Sequence, residues 1–376
     1  MSKKYDAVVL GVGAMGSAAC YHLARRGLSV LGIEQFEIGH DRGSSHGRTR
    51  VIRKAYFEDP RYVPLLHECY ALWHELEAAS GETLMQTTGC LNMGPAGHEC
   101  ILGVRESVER HELPHEFLAA DEIRRRWSVF QPNEGDVGVF EADGGMLFPE
   151  KCVAAHVRLA EARGCRILQR ARVEGWSATP GGVVVQAGGE RFEARHLVIT
   201  AGAWLPVIAA QLGLPLIIER QVQAWFAPAE AEAFAVGRMP VFIHFLSDRS
   251  YYGLPHVGDG AVKVARHHGG TATTADTADR TVSAADEADI RSYLLRHLPE
   301  ADGKLLDAKV CLYTNTPDDH FIIDRHPRHE NVSVAGGFSG HGFKFSGLVG
   351  RVLSDLIVDG RTASPIELFS IARLLK

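Results

Sequence analysis

The stretch from Tyr5 to Glu34 leaves the chain little freedom in how it can begin. Tyr5 to Leu10 is an apolar, β-branched run ended by glycine, the pattern of a short buried strand. Gly11, Gly13 and Gly16 follow, with Ala14 and Met15 inside the motif. That spacing lets the backbone turn sharply, approach a pyrophosphate closely and seat a helix on a sheet. Ala18 to Arg26 carries helical periodicity, with Ala18, Ala19, Tyr21, His22 and Leu23 on one broad face, and Gly27 stops it. Leu28 to Ile33 reads as a second strand ending on Glu34, which lies 18 residues beyond Gly16, where a ribose-binding acid belongs. An ordinary tight turn would not need all of these features in this order. An acidic Glu34 favours an unphosphorylated adenosine ribose, as in FAD or NAD, over NADP. These residues do not separate FAD from NAD.

At 376 residues the chain exceeds the size at which one core keeps growing, so two domains are expected. A hydrophobic fraction of 45% and a charged fraction of 23% suit a globular enzyme. The net charge of -6, with 40 basic residues, argues against nucleic acid as a bulk partner. Lys3 and Lys4 precede an apolar run, but Asp6 and the glycines interrupt it, so a secretory signal is rejected. No run of 18 apolar residues exists, so no membrane span is expected, and Leu374-Leu375-Lys376 is not a peroxisomal address. The seven cysteines (Cys20, Cys69, Cys90, Cys100, Cys152, Cys165, Cys311) are odd in number and widely spaced, without a C-x-x-C pair. Neither a disulfide framework nor a structural metal site is expected, and reduced thiols point to the cytoplasm.

Beyond Glu34 the segment Gly39 to Arg53 is crowded with donors: Arg42, Ser44, Ser45, His46, Arg48, Thr49, Arg50 and Arg53. Basic runs are usually solvated. This one lies at the carboxyl end of the second strand, where ligands sit in such sheets, so it is read as facing the ligand. In a helical turn Arg50 and Arg53 would share a face. Helices are expected at 62–79, 99–111, 120–127, 149–164, 203–212, 284–297 and 345–358. Gly81 to Gly97 reads as a strand pair turning at Thr88-Gly89, and Asp143-Gly144-Gly145 as a loop crossing between domains. A strand at 166–169 precedes a hairpin turning at Pro180-Gly-Gly182, and 193–201 returns to the nucleotide domain. Short strands at 221–227, 241–245, 250–254 and 261–265 suggest an antiparallel sheet, with 271–283 as loop and further strands at 306–313 and 332–335. Gly336 to Lys344 is a second glycine-rich turn at a helix start, where aligned N–H groups gather. Glycine-rich loops at both ends of the chain imply a discontinuous cofactor domain. The expected fold class is α/β: a discontinuous Rossmann-like domain of 1–85, 146–216 and 306–376, plus an antiparallel-sheet α+β substrate domain of 86–145 and 217–305.

Five segments, in order, carry a wider likeness. They are Gly11-x-Gly-x-x-Gly16, Gly43-Ser-Ser-His-Gly-Arg-Thr-Arg-Val-Ile-Arg53, Tyr251-Tyr-Gly-Leu-Pro255, Cys311-x-Tyr-Thr-x-Thr-Pro-Asp318 with Phe321-Ile-Ile-Asp324, and Ser339-Gly-His-Gly-Phe-Lys-Phe-Ser346. Over nearly its whole length the chain resembles the monomeric sarcosine oxidase and N-methyl-amino-acid oxidase family of flavoproteins. The resemblance implies FAD rather than NAD. It also implies an 8α-S-cysteinyl thioether to Cys311, a residue that otherwise reads as one odd buried thiol among seven. By the same resemblance Gly11, Gly13, Ala14, Met15, Gly16, Glu34, Ser44, His46, Thr49, Arg50, Gly340, Gly342, Phe343 and Lys344 belong to the cofactor site. Arg53 and Lys344 resemble the pair that binds the substrate carboxylate. Lys263 matches the lysine of the oxygen-activating site, where a cation would stabilise charge built on O2. Tyr252, His267 and Tyr313 match the walls of the amine pocket, with Arg50 beside the flavin ring.

Three positions depart from the pattern. Ile243 stands where sarcosine oxidases carry a flexible methionine, and Ser45 and Arg48 replace a histidine and an acid. The expected activity is oxidation of a secondary N-methyl amino acid, sarcosine or similar, to the demethylated amino acid, formaldehyde and H2O2. N-methyltryptophan, pipecolate or fructosyl amino acids are alternative substrates, and a flavin dehydrogenase using another acceptor is an alternative enzyme. A non-enzymatic flavin-binding module would have no use for the paired cations. The expected partners are the small amino acid and O2, for a cytoplasmic monomer.

Overall fold

A computed structural model describes residues 4–375, which build three sheets. The eight-stranded sheet has a parallel heart: Arg166–Leu168, Val30–Ile33, Lys4–Leu10, Glu190–Ile199 and His329–Gly336 lie side by side in that order. In register, Leu10 faces Ile33 on one side and Ile199 on the other, and Ile199 faces Val334. All five strands therefore end at one edge. Alternation within the first strand explains its continuous apolar run. Ala7 and Val9 pack under the helices, whereas Val8 and Leu10 face the opposite core with Leu31, Ile33, Leu197 and Val332. Helices Ala14–Arg25, Tyr62–Ser80, Pro149–Glu161 and Ser346–Val358 form the covering layer.

Two histidines are locked in that layer. His22 and His156 are buried, 7% and 2% exposed. Burial, with His156 and Arg25 nearby, lowers His22 to about 3. Burial alone lowers His156 to about 4. The unfolded chain takes up these protons below pH 6.5 and the folded chain does not, so this stability is complete above pH 6.5 and falls as pH drops toward 4 and 3. Each histidine removes about 2 kcal/mol by pH 5. Urea midpoints measured at pH 7 and pH 5 should fall sharply in the wild type and less in His156→Gln; an equal fall would contradict the assignment.

The nine-stranded sheet runs Thr271–Thr273, Ile217–Phe226, Val262–His267, Ser250–Leu254, Val241–Phe245, Cys90–Pro95, Asp136–Glu141 and Glu116–Ala119, with Leu305–Asn315 also paired to Ile217–Phe226. It is antiparallel except where Val241–Phe245 meets Cys90–Pro95. Helix Ala284–His297 buries Ile290, Tyr293 and Leu294 in that sheet's core. A small sheet of Arg50–Ile52, Gly145–Leu147 and Met85–Thr87 links the two large ones. Among the described residues no helix is long and apolar enough to cross a membrane.

Several local readings change. The strands within Gly81 to Gly97 form, but they join different sheets. The Thr88 and Gly89 N–H groups donate to Gly144 O at 3.1 and 2.9 Å instead of closing a hairpin. The helix expected at 203–212 breaks into Gly202–Trp204, Leu205–Ile208 and Ala210–Leu212. Pro206 lacks the N–H a continuous helix needs there, and Gly213, at φ 60°, ends the run. Thr271–Thr273, expected as loop, adds an edge strand. Arg50 opens strand Arg50–Ile52 and Arg53 lies just past its end, so no helical turn relates them. Leu305–Asn315 sits in the nine-stranded sheet, whereas the segment from 306 is expected with the nucleotide part.

Candidate active site

The common strand edge opens into a long cleft of about 1970 Å³, counted with its open mouth, running from Glu34 to Lys344. At its nucleotide end Gly11 has φ 84°. A Cβ on Gly16 would lie 1.8 Å from Gly11 O, so only glycine lets the helix sit this close to the turn. The helix begins at Ala14 without a side-chain cap from Gly13, and the Ala14 N–H donates to Ser45 Oγ at 3.1 Å. Glu34 accepts from Val12 N–H at 2.9 Å and Phe36 N–H at 3.1 Å, with His40 Nε2 3.4 Å away. Burial works against its carboxylate, yet His40 and the two amides hold it below its ordinary value. Gly11, Gly13, Ala14, Met15, Glu34 and Ser44 all line the cleft, a cradle suited to an adenine dinucleotide.

Midway, Cys311 and Arg50 meet. Cys311 is 3% exposed, lines the cleft, and lies 3.7 Å from Arg50 Nη2. Arg50 also donates to Thr49 O at 2.9 Å, Gln223 Oε1 at 3.0 Å and Ser44 O at 3.0 Å, so its guanidinium is tied down on three sides. Four expected residues, Gly16, His46, Thr49 and Lys263, do not line the cleft. Burial first, and Arg50 second, lower His46 to about 3. Its Nδ1 is buried without a partner. Lys263, 1% exposed, donates to Gly47 O at 2.9 Å and Thr49 O at 2.7 Å. Burial and then Arg50 push its ammonium well below the usual lysine range.

At the far end the second glycine-rich loop closes the cleft. Gly340, at φ 79°, passes so near Tyr313 that a Cβ would meet the ring at 2.3 Å. Gly342, Phe343 and Lys344 line the wall, and Lys344 donates to His341 O at 2.6 Å. Burial and then Arg53 lower Lys344 to about 7, with Glu58 opposing. Arg53, 2% exposed, lies over Tyr56 at 4.2 Å and Phe57 at 4.3 Å, and Lys344 Nζ lies over the same Tyr56 at 5.1 Å. Around these cations stand Ile243, Tyr252, His267 and Tyr313. His267 Nδ1 is 3.2 Å from Tyr313 OH. Burial pushes Tyr252 up to about 12 and holds His267 well below its usual value, so both stay neutral at pH 7.

Glu58 is the residue missing from the sequence reading. Its carboxylate takes Arg53 Nη2 at 2.8 and 3.0 Å and stands 3.6 Å from His341 Nδ1. Tyr56 and His341, joined by a hydroxyl–imidazole bond of 2.5 Å, complete this cluster. No spacing marks Glu58 in sequence; only the closure of the Lys54–Tyr62 segment onto Arg53 brings it in.

Comparison with known proteins identifies the family. The family described as FAD dependent oxidoreductase matches residues 6–356. A monomeric sarcosine oxidase of Streptomyces avermitilis is 41% identical over 100% of this chain and 99% of that protein. An N-methyl-L-tryptophan oxidase of Salmonella arizonae is 34% identical over 98% of this chain and 99% of that protein. Among solved structures, the open form of NikD, an unusual amino acid oxidase, shares the fold with a TM-score of 0.89 at 24% identity, covering 98% of each chain. With a family match across most of its length and a cleft built to cradle an adenine dinucleotide, the chain belongs to the FAD-dependent oxidoreductases.

Proposed function

We propose that this chain oxidises small secondary N-methyl amino acids, sarcosine or one of similar size, at the far end of the cleft, with O2 as acceptor. The observation that carries the reading is the pair of buried cations, Arg53 and Lys344, over one tyrosine ring at the end of a dinucleotide cradle. A carboxylate placed there would exchange with Glu58 for Arg53 and draw on Lys344, setting the carbon beside nitrogen against the middle of the cleft. The neutral walls, Tyr252, His267 and Tyr313, suit an uncharged amine better than an ammonium. Bound FAD would supply the acceptor for the hydride equivalent and pass the electrons to O2. Lys263, which does not line the cleft, is the cation for the oxygen side of the reaction. The products are the demethylated amino acid, formaldehyde and H2O2.

The residues fit the cofactor: the glycine turn takes the pyrophosphate, Glu34 the ribose, and Cys311 lines the middle of the cleft with Arg50 beside it. A covalent thioether at Cys311 is part of this reading. Acid precipitation of the holoprotein should leave the yellow colour in the pellet, and Cys311→Ser should release it to the supernatant. Colour in the wild-type supernatant would remove the covalent link and leave FAD binding intact.

A panel of sarcosine, N-methyltryptophan, pipecolate, proline and a fructosyl amino acid, followed by peroxide release, tests the substrate. Ile243, a stiff branched residue in the wall, is the observation that favours a rival amine over sarcosine. Sarcosine turnover far below the others would sink the first choice.

A further inference from the structure

Lys263 is held by a turn whose geometry needs outside support. The Gly47 and Thr49 carbonyls that receive its Nζ flank a three-residue turn, closed by Thr49 N–H donating to Gly47 O at 2.7 Å. Its central residue, Arg48, is not glycine yet has φ 64°, and Gly47 has φ 100°. A Cβ on Gly47 would lie 2.3 Å from Gln223 Oε1. Turns of this kind are strained and persist only where the surroundings over-determine them.

Two side chains do so here. Glu150, the second residue of helix Pro149–Glu161, accepts the Gly47 N–H at 2.7 Å and the Arg48 N–H at 3.1 Å through one oxygen. Arg48 bridges Asp259 and Asp307, each at 2.8 Å, and lies 4.9 Å over Trp225, the ring that Lys263 Nζ approaches at 5.4 Å. Arg48 N–H and Gly47 C=O belong to one planar peptide and point opposite ways. A carboxylate gripping that N–H on one face therefore aims the carbonyl at Nζ on the other. Glu150 does not line the cleft.

We propose that Glu150 is a positioning residue for Lys263: by fixing the 47–48 peptide plane it aims the Gly47 carbonyl at Nζ and holds the turn whose far end offers Thr49 O as the second acceptor. This rests on the reading of Lys263 as the oxygen-side cation. The charge of Glu150 has a second effect. Burial, Arg50 and Arg48 disfavour a proton on Lys263, whereas the Glu150 carboxylate favours it. Losing the carboxylate therefore lets Nζ deprotonate at lower pH.

The test uses holoenzyme of the wild type, Glu150→Ala, Glu150→Gln and Lys263→Met. Three readouts are compared: anaerobic reduction by amine, reoxidation by O2, and hydrogen exchange of the peptide spanning residues 44–50. Glu150→Ala should reoxidise at least tenfold more slowly, reduce within twofold of wild type, and exchange faster in that peptide. Glu150→Gln, whose amide oxygen can still accept both N–H groups, should recover the exchange protection and most of the rate at neutral pH. Its rate should decline at lower pH than in the wild type. Glu150→Ala reoxidising within twofold of wild type while Lys263→Met is slow would overturn the proposal, as would both half-reactions slowing together or unchanged exchange. Wild-type reoxidation in Lys263→Met would instead overturn the oxygen-side reading, while hydrogen exchange still reports the turn.

Discussion

Replacing Lys263 with methionine is expected to slow reoxidation by O2 roughly a hundred- to a thousand-fold, with anaerobic reduction by amine changed only a few-fold. The magnitude is that of deleting one preorganised charged donor from a site where negative charge develops. Methionine matches the length of lysine but donates nothing. The two half-reactions should separate because Lys263 does not line the cleft and is held by the 47–49 turn, whereas the proposed amine pocket is lined by Tyr252, His267 and Tyr313. The variant takes one donor from each of two carbonyls, leaving Gly47 O with Thr49 N–H and Thr49 O with Arg50. Some loss of thermal stability is therefore expected, but removing a buried ammonium offsets part of it. In the wild type the same step should weaken as pH rises, at a pH well below that of an ordinary lysine, since burial and Arg50 already disfavour the proton. Stopped-flow reoxidation across pH is the check. Equal reoxidation in Lys263→Met and wild type would favour a dehydrogenase that uses another acceptor.

Arg53→Ala should lower kcat/KM for the amino acid by about a hundred- to a thousand-fold, the loss of a buried, charge-assisted contact to carboxylate. The same substitution should cost about 3–5 kcal/mol of stability, because it strands Glu58 as an unpaired buried charge. These two effects need separating. In the double variant Arg53→Met with Glu58→Gln, the stranded charge is gone and an apolar chain covers Tyr56 and Phe57. Melting should then return close to the wild-type value while kcat/KM stays low. Recovery of both would mean that Arg53 acts only as the structural partner of Glu58. Recovery of neither would mean that the packing of Tyr56 and Phe57 needs the guanidinium itself.

Much of this architecture could be read directly because its signals are local. The Gly11 to Gly16 turn depends on neighbouring φ values and on one close approach, so spacing alone reveals it. Helices Tyr62–Ser80 and Ala284–His297, and strands Val241–Phe245 and Ser250–Leu254, follow from apolar periodicity. Strands Glu116–Ala119 and Ile322–His326 were not legible, because they are short and depend on a neighbour for their hydrogen bonds. Met85–Thr87 and Cys90–Pro95 mislead for a related reason: a strand's partner is a tertiary fact, and nothing local to Thr88-Gly89 announces that the chain is changing sheets.

The candidate site divides along the same line. Residue types and order are enough to single out the glycine turns, Glu34 and the donor-rich segment that holds Arg50 and Arg53, because each is a contiguous motif, whereas Cys311 and Lys344 stand out only through the family resemblance of the motifs around them. The folded chain alone decides how these groups are partnered. It brings Glu58 onto Arg53, sets Glu150 under the peptide that faces Lys263, and leaves Lys263, His46 and Thr49 out of the cleft lining. Local spacing specifies backbone conformation over a few residues. Burial and charge pairing are sums over groups from distant segments, and they take their values only when the sheets and loops close around them.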